Sequence, residues 1–376
     1  MKKVAIIGTR GYPSYYGGFE TAVRKVAPYL ADQGWDVTVY GRAGSVAPTD
    51  ENRDVRIKSV LTRGLNTKSL STLTFGLTSV LSALIHKPDV ALVMNVANGF
   101  WLPLLKLRGV PTVVNVDGIE WERDKWSPTA KRVFRAGALM TARWANALVC
   151  DAVEIQRIWT ESYGVRGRFI PYGGEAPQTK PIESGLAHRG YILLVARFVP
   201  ENTVREFFRA AARLSQKWPV IIVGSTGFGG DLDQEAAELA SSNPNVQWLG
   251  HLSDDDRLFS LWQHAGVYFH GHSVGGTNPA LVQAMACGAP VVARDTPYNR
   301  EVLGDYGKFV GPDDEQIADA IGSLMESPSE QLRLSEGSAE RAQVSYSWEF
   351  VCGQYDDLLS RTVEGTYTPQ AAESKN

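Results

Sequence analysis

Short apolar and β-branched runs alternate along this chain with longer stretches whose hydrophobic positions recur at helical spacing. The runs fall at residues 4–7, 36–40, 55–60, 90–94, 112–116, 147–150 and 168–171, with helical patterns among them such as 19–33 and 129–145. That alternation predicts a parallel, doubly wound α/β sheet. Residues 173–187 are rich in Gly, Pro and polar side chains, break the pattern and read as a linker. Strand-like runs then resume at 191–196, 220–223, 246–249, 267–269, 290–293 and 308–310. The predicted organisation is one Rossmann-like domain over 1–172 and a second over 188–346. A helix at 348–360 is expected to pack back on the first domain, and 365–376 read as a disordered tail. Open sheets of this kind hold ligands at the carboxyl ends of their strands, so the two domains are expected to face each other across a cleft.

Composition narrows the classes. With 376 residues, 44% hydrophobic and 21% charged, the chain can bury two cores, and wholesale disorder is excluded. Cys150, Cys287 and Cys352 form neither a metal-ligand spacing nor a disulfide framework, which favours a reducing cytoplasm. The first apolar run is too short for a secretory signal, and no segment of about 18 uninterrupted apolar residues predicts a membrane span. The net charge of −3 conceals an asymmetry: residues 1–172 carry 23 Lys and Arg against 14 Asp and Glu, the remainder 15 against 27. A basic first half suits an anionic surface or phosphorylated substrate, although chance and solubility explain it as well. Nucleic acid is not an expected partner, since no dense basic-aromatic platform is present.

Residues 271–288 are the richest in local signals. Asn278 suits a helix N-cap, Pro279 the first helical position, and Gly288 the residue after the helix end. Gly275 and Gly276 let a backbone approach closely, and a helix start so prepared attracts phosphate. A well-capped core helix after a tight turn is the alternative. A dinucleotide dehydrogenase is disfavoured, because the first turn, Gly8-Thr9-Arg10-Gly11, lacks the Gly-x-Gly-x-x-Gly fingerprint and the second strand ends in Tyr40-Gly41-Arg42 without an acid. A Walker loop is absent too.

Four segments in order carry a resemblance: Gly17-Gly18-Phe19-Glu20, Asn115-Val116-Asp117-Gly118-Ile119-Glu120-Trp121, Ala196-Arg197-Phe198-Val199-Pro200-Glu201-Asn202, and 275–288. Over residues 1–360 the chain resembles the GT-B glycosyltransferases of family 4, and its first two segments look most like the bacterial rhamnosyltransferases of cell-surface polysaccharide synthesis. The resemblance implies a retaining transfer from a dTDP-, UDP- or GDP-linked sugar to a saccharide or lipid-linked saccharide, with no cofactor and no metal. The leaving phosphate itself would take the acceptor proton.

Such a transfer builds charge on the departing diphosphate, so fixed cations and N–H donors matter more than a nucleophile. Arg197 is the candidate to clasp the diphosphate; its alternative is a pair with an acid such as Glu201. Gly17, Gly18, Asn202, Gly275, Gly276, Thr277, Asn278 and Gln283 are the donor-binding candidates implied. Two family glutamates are replaced here by Gly275 and Gln283, and a family basic residue by Asn202 or Thr203; the uncharged substitutes make weaker contacts. Asp117 is the candidate to orient or deprotonate an acceptor hydroxyl, with an Asx-turn or N-cap before Gly118 as the alternative. Glu20, Glu120, Trp121 and Arg123 are acceptor-side candidates, although Glu20 also suits a first-turn acid and Trp121 a core position.

Asp254-Asp255-Asp256 reads as an N-cap with an acidic first turn rather than a metal site, and His270 with His272 as cleft polar groups rather than zinc ligands. Residues 121–145 mix Lys125, Lys131, Arg132, Arg135 and Arg143 with Trp126, Phe134 and Trp144, and 70–85 are apolar with Ser and Thr. Both stretches suit a peripheral contact with the cytoplasmic leaflet of the plasma membrane, or ordinary helix packing. A sugar-nucleotide epimerase and a non-catalytic sugar-nucleotide or glycan-binding protein are the alternatives to a transferase.

Overall fold

The computed structural model describes residues 1–15, 17–47, 50–51, 53–65, 71–123 and 126–367. Residue 70, Lys125 and the tail from 368 onward, named among the expectations above, lie outside the described residues.

The chain divides into two compact units, Met1–Tyr172 with Trp348–Asn376, and Gly173–Ser347. In the first, seven parallel strands, β1 (Lys3–Ile7), β2 (Asp36–Arg42), β3 (Lys58–Thr62), β4 (Val90–Met94), β5 (Thr112–Asn115), β6 (Ala147–Cys150) and β7 (Arg168–Phe169), lie in the order β3-β2-β1-β4-β5-β6-β7. The helices Gly18–Asp32 and Trp348–Glu364 place Val23, Val26 and Leu30, and Val351, Tyr355, Leu358 and Leu359, in one core with Val4, Ile6, Val37, Val39 and Leu92. Each such fully buried aliphatic side chain contributes about 1.5–3 kcal/mol. β3 begins later than the sequence pattern predicts. Asp54 accepts from the Arg56 N–H (2.9 Å) and guanidinium, which closes a turn there, leaves Val55 on the surface and delays the ladder until Lys58 meets Thr38.

The second unit holds six parallel strands, β8 (Ile192–Val195), β9 (Val220–Val223), β10 (Val246–Trp248), β11 (Val267–His270), β12 (Val291–Arg294) and β13 (Gly307–Val310), in the order β10-β9-β8-β11-β12-β13. Alternate residues serve opposite cores: Ile192, Leu194, Val267 and Phe269 meet Phe207 and Ile321, whereas Leu193, Tyr268 and Val291 meet Leu281 and Met285. The stretch read as a linker is tied to this unit along its length. Gln263 accepts from the Lys180 N–H (2.8 Å), Ser260 donates to the Pro181 carbonyl (2.6 Å), and Glu183 pairs with Arg257. A segment without a periodic apolar face thus satisfies its backbone on the side chains of the helix Asp255–His264. In each sheet the strand order reverses direction once, between β1 and β4 and between β8 and β11. The carboxyl ends of the strands at such a switch point are where open α/β sheets hold ligands.

Candidate functional site

In the second unit, the loop after β8 carries Arg197 at this switch point. Its side chain is exposed, and its guanidinium makes no hydrogen bond or ion pair among the described residues; Glu201 does not hold it. Its carbonyl accepts from the Asn202 side-chain amide (2.9 Å) and from the Val199 N–H (3.0 Å). Buried Asn202 therefore shapes the Arg197 loop instead of presenting its amide donor outward. Thr203, at φ +54°, donates through its hydroxyl to the Gly271 carbonyl (2.6 Å) and accepts from Arg294 (2.8 Å). Gly271 must be glycine, because a Cβ there would stand 2.2 Å from the Asn202 carbonyl oxygen. Ser273 completes the stitching, donating from N–H (2.9 Å) and hydroxyl (2.8 Å) to the Glu201 carbonyl. The loops leaving β8 and β11 are thereby one rigid piece, with Arg197 on its surface.

The next residues form the helix start. Gly275 adopts φ +115°, Thr277 is buried, and the Asn278 side chain caps the Ala280 N–H at 3.0 Å ahead of the helix Pro279–Ala286. Gly288, at φ +70°, follows the helix end, so both ends match the local sequence signals. Gln283 faces inward: its amide donates to the Glu175 carbonyl (2.7 Å) and accepts from the Glu175 N–H (3.2 Å). It clasps the backbone at residue 175. Fully buried His270 hydrogen-bonds Tyr268 through Nδ1 (2.9 Å) and stacks on His272 with ring centres 4.3 Å apart, while its Nε2 has no hydrogen-bond partner among the described residues. Burial first, then the neighbouring His272, push the His270 imidazole well below its ordinary range, so it is neutral at pH 7. Among the described residues, no group of three or more His, Cys, Asp or Glu is placed to hold a metal ion. Asp254 caps the helix Asp255–His264 by accepting from the Arg257 N–H (3.1 Å).

In the first unit, Gly17 is the extended N-cap residue of the helix beginning at Gly18. Glu20 turns back from that helix and accepts from the Arg10 N–H (3.0 Å) while buried, a local role beside the acceptor one expected. Asp117 sits at the exit of β5 with φ +59°, a conformation that costs an ordinary side chain energy. The Asx-turn here is made by Asn115, whose Oδ1 accepts from the Asp117 N–H (2.9 Å); the Asp117 carboxylate makes no hydrogen bond or ion pair among the described residues. Glu120 is buried, pairs with Arg123 (3.0 Å) and accepts from the Trp126 indole (2.6 Å). Trp121 is buried edge-on to Tyr163. Glu120 and Arg123 thus meet each other, and Trp121 lies in the core.

Sequence reasoning passed over Arg294, Asp151 and Tyr172. Arg294 ends β12, and Asp151 and Tyr172 follow β6 and β7 by one and three residues; each comes directly after one of the apolar runs at 290–293, 147–150 and 168–171, and that position was the signal.

Comparison with known proteins matches residues 17–173 to the family model "Glycosyl transferase 4-like domain" and residues 179–341 to "Glycosyl transferases group 1". Among curated relatives, the O-antigen chain mannosyltransferase B of Escherichia coli is 26% identical over 44% of this chain and 44% of its own. The MMP alpha-(1->4)-mannosyltransferase of Mycolicibacterium hassiacum is 30% identical over 51% and 48%. The chain spans about half the length of these relatives. Among solved structures, sucrose-phosphate synthase from Thermosynechococcus elongatus shares the fold with a TM-score of 0.81 at 18% identity, covering 97% of this chain and 100% of that one.

Proposed function

We propose that this chain, which belongs through its two halves to the 4-like and group 1 glycosyltransferases of GT-B fold, transfers a sugar from a nucleoside diphosphate sugar to a growing cell-surface saccharide. The observation that carries the reading is Arg197, an exposed guanidinium without a partner among the described residues, fixed at the β8/β11 switch point. A diphosphate bound there accepts charge-assisted hydrogen bonds from Arg197 and is favoured by the start of the helix Pro279–Ala286, with Gly275, Gly276, Thr277 and Asn278 lining its approach. Asp117 supplies the acceptor-side group, orienting a hydroxyl while the leaving phosphate receives its proton. No protein nucleophile and no metal are invoked.

Rhamnose is the donor sugar the segments at 17–20 and 115–121 favour; the names of the two relatives favour mannose as a second candidate. The acceptor is a lipid-linked saccharide, met at the cytoplasmic leaflet. Support for that location is the outer face of the helix Pro128–Trp144, where Arg132, Arg135, Leu139 and Arg143 are exposed together. A non-catalytic nucleotide-sugar-binding protein is the second reading, favoured by the engagement of Gln283 with Glu175.

The test is thermal stabilisation by dTDP, UDP, GDP, ADP and NAD at matched concentrations, followed by nucleotide release from dTDP-rhamnose and GDP-mannose with and without acceptor. Binding to the native state raises stability by linkage. A shift with one nucleoside diphosphate that vanishes in Arg197→Ala, together with acceptor-dependent release, meets the proposal. No shift with any nucleotide overturns it, and a shift without turnover selects the second reading.

A further inference from the structure

Within the second unit, residues 177–189 run along the helix Asp255–His264 before β8 begins. Lys180 pairs with Asp256 (2.7 Å) and Glu183 with Arg257, and the Gln263 amide donates to the Pro177 (3.3 Å) and Gln178 (3.2 Å) carbonyls. At the helix end the Arg189 N–H donates to the His264 carbonyl (2.7 Å). Two imidazoles meet there: Nδ1 of His188 stands 2.9 Å from Nδ1 of His264, with the rings at 76°. His264 is buried and His188 exposed.

The hydrogens of this pair follow from their partners. His264 Nε2 lies 2.8 Å from the Lys180 carbonyl oxygen; a carbonyl only accepts, so Nε2 carries the hydrogen. Neutral His264 then offers a lone pair at Nδ1, and His188 donates to it from its own Nδ1. One added proton enters at His188 Nε2, which has no hydrogen-bond partner among the described residues, and the contact survives. A second must go to His264 Nδ1, where N–H would face N–H at 2.9 Å. The charges around the pair oppose that step. Lys180 and Arg257 are neutralised by Asp256 and Glu183, and the Tyr191 hydroxyl is spent on the Leu261 carbonyl (2.6 Å). The Arg189 guanidinium donates to the Ala265 (2.7 Å) and Gly288 (2.9 Å) carbonyls and to Ser335, without a carboxylate partner among the described residues. Burial first, then Arg189 and His264, hold the His188 imidazole below its ordinary range, so it is neutral at pH 7.

We propose that His188 and His264 form a proton-operated latch, which holds residues 177–189 on the helix while the pair carries at most one added proton and releases them when it carries two. The exposed ion pairs along the segment contribute little by themselves and do not replace the latch. Released, these residues lengthen the tether that leads from the first unit into the second. The device lies wholly in the second unit and stands independently of the transferase reading.

The test uses the full chain. With 15N-labelled histidine at pH 8, His264 should carry its hydrogen on Nε2 and His188 on Nδ1; a hydrogen on His264 Nδ1 there overturns the latch. Hydrogen exchange at the Lys180 and Arg189 amides, corrected for the intrinsic effect of pH, should lose protection roughly tenfold or more between pH 7 and pH 4.5, while β8 and β9 stay protected. In His188→Ala the charged His264 meets no opposing N–H and still donates to Lys180, so the loss should shrink to below about threefold. The double variant Glu183→Gln, Asp256→Asn, which removes the acid sensitivity of the ion pairs, should keep the tenfold loss. No acid loss in the wild type, a loss that persists in His188→Ala, or one abolished in the carboxylate variant overturns the proposal. Protected β8 and β9 amides certify that each variant is folded.

Discussion

Arg197 and Asp117 differ from most charged side chains around them. Arg205, Arg257 and Arg300 are held by Glu235, Glu183 and Asp295, whereas neither the Arg197 guanidinium nor the Asp117 carboxylate is hydrogen-bonded or ion-paired among the described residues. A charge-assisted contact to a diphosphate is worth about 1.5–3 kcal/mol. Arg197→Ala should therefore weaken binding of the preferred nucleoside diphosphate roughly 10- to 100-fold in calorimetry, and Arg197→Lys should recover only part, because a point charge lacks the planar fork. An unchanged Kd removes Arg197 from the site. Asp117 carries a different signature, a left-handed backbone at φ +59° that glycine adopts without strain. Asp117→Gly should raise unfolding stability by roughly 0.5–1 kcal/mol while lowering acceptor-dependent turnover. Loss of stability together with loss of turnover would instead make Asp117 a structural residue.

At the scale of elements, what was legible in the sequence is what local chemistry decides. Strands buried on both faces are continuous apolar runs, so β4, β6 and β9 could be read to the residue, and Asn278, Pro279 and Gly288 announce their helix ends without help from the rest of the chain. What was illegible depends on partners far along the chain. Gln283 looks free to accept a ribose hydroxyl until Glu175, 108 residues away, is seen in its grasp. The junction of the β8 and β11 loops is of the second kind. Gly271→Ala would drive a Cβ into the Asn202 carbonyl oxygen and should cost about 1–3 kcal/mol in urea unfolding, with loss of nucleotide stabilisation as the Arg197 loop is displaced; a neutral effect on both would deny that the loops act as one piece. His270 adds a proton dependence. Its imidazole is depressed in the folded state by burial and by His272, so the unfolded chain binds the proton first. The contribution to stability is present above about pH 6.5 and is lost as pH falls below it, at up to about 1.4 kcal/mol per pH unit. Urea midpoints at pH 7.0 and 5.5 should fall less for His270→Phe than for wild type, the carboxylates being common to both; equal slopes would show that His270 takes up its proton while folded.

For the whole molecule the unequal distribution of charge is the property that sequence and structure read together. The excess of Lys and Arg in residues 1–172 gathers in part on the outer face of the helix Pro128–Trp144. Its inner face, Gly137, Ala138 and Thr141, is buried: Gly137 and Gly99 each leave no room for a Cβ, so helix and neighbouring backbone are in close contact. Packing therefore accounts for the small residues of this segment and leaves its basic face, with Leu139 at its centre, unexplained. Lys106, Leu107 and Arg108, at the end of the helix Leu102–Leu107 that packs on it, repeat the pairing of exposed cations with an exposed aliphatic. Among the described residues no helix is long and apolar enough to cross a membrane; the attachment proposed through this basic face is interfacial and electrostatic. Each basic residue held near an anionic surface contributes on the order of 1 kcal/mol. Reversing Arg132, Arg135 and Arg143 to Glu should thus lower sedimentation with phosphatidylglycerol vesicles by about 100-fold or more, given a factor of ten for every 1.4 kcal/mol. Raising salt from about 0.1 M to 1 M, which shortens the Debye length from about 10 Å to about 3 Å, should release the wild type too. Nucleotide stabilisation, which the proposal assigns to the second unit, should survive the triple reversal. Vesicle binding that ignores both the reversal and the salt would remove the membrane from the proposal and leave a transferase acting on a free saccharide.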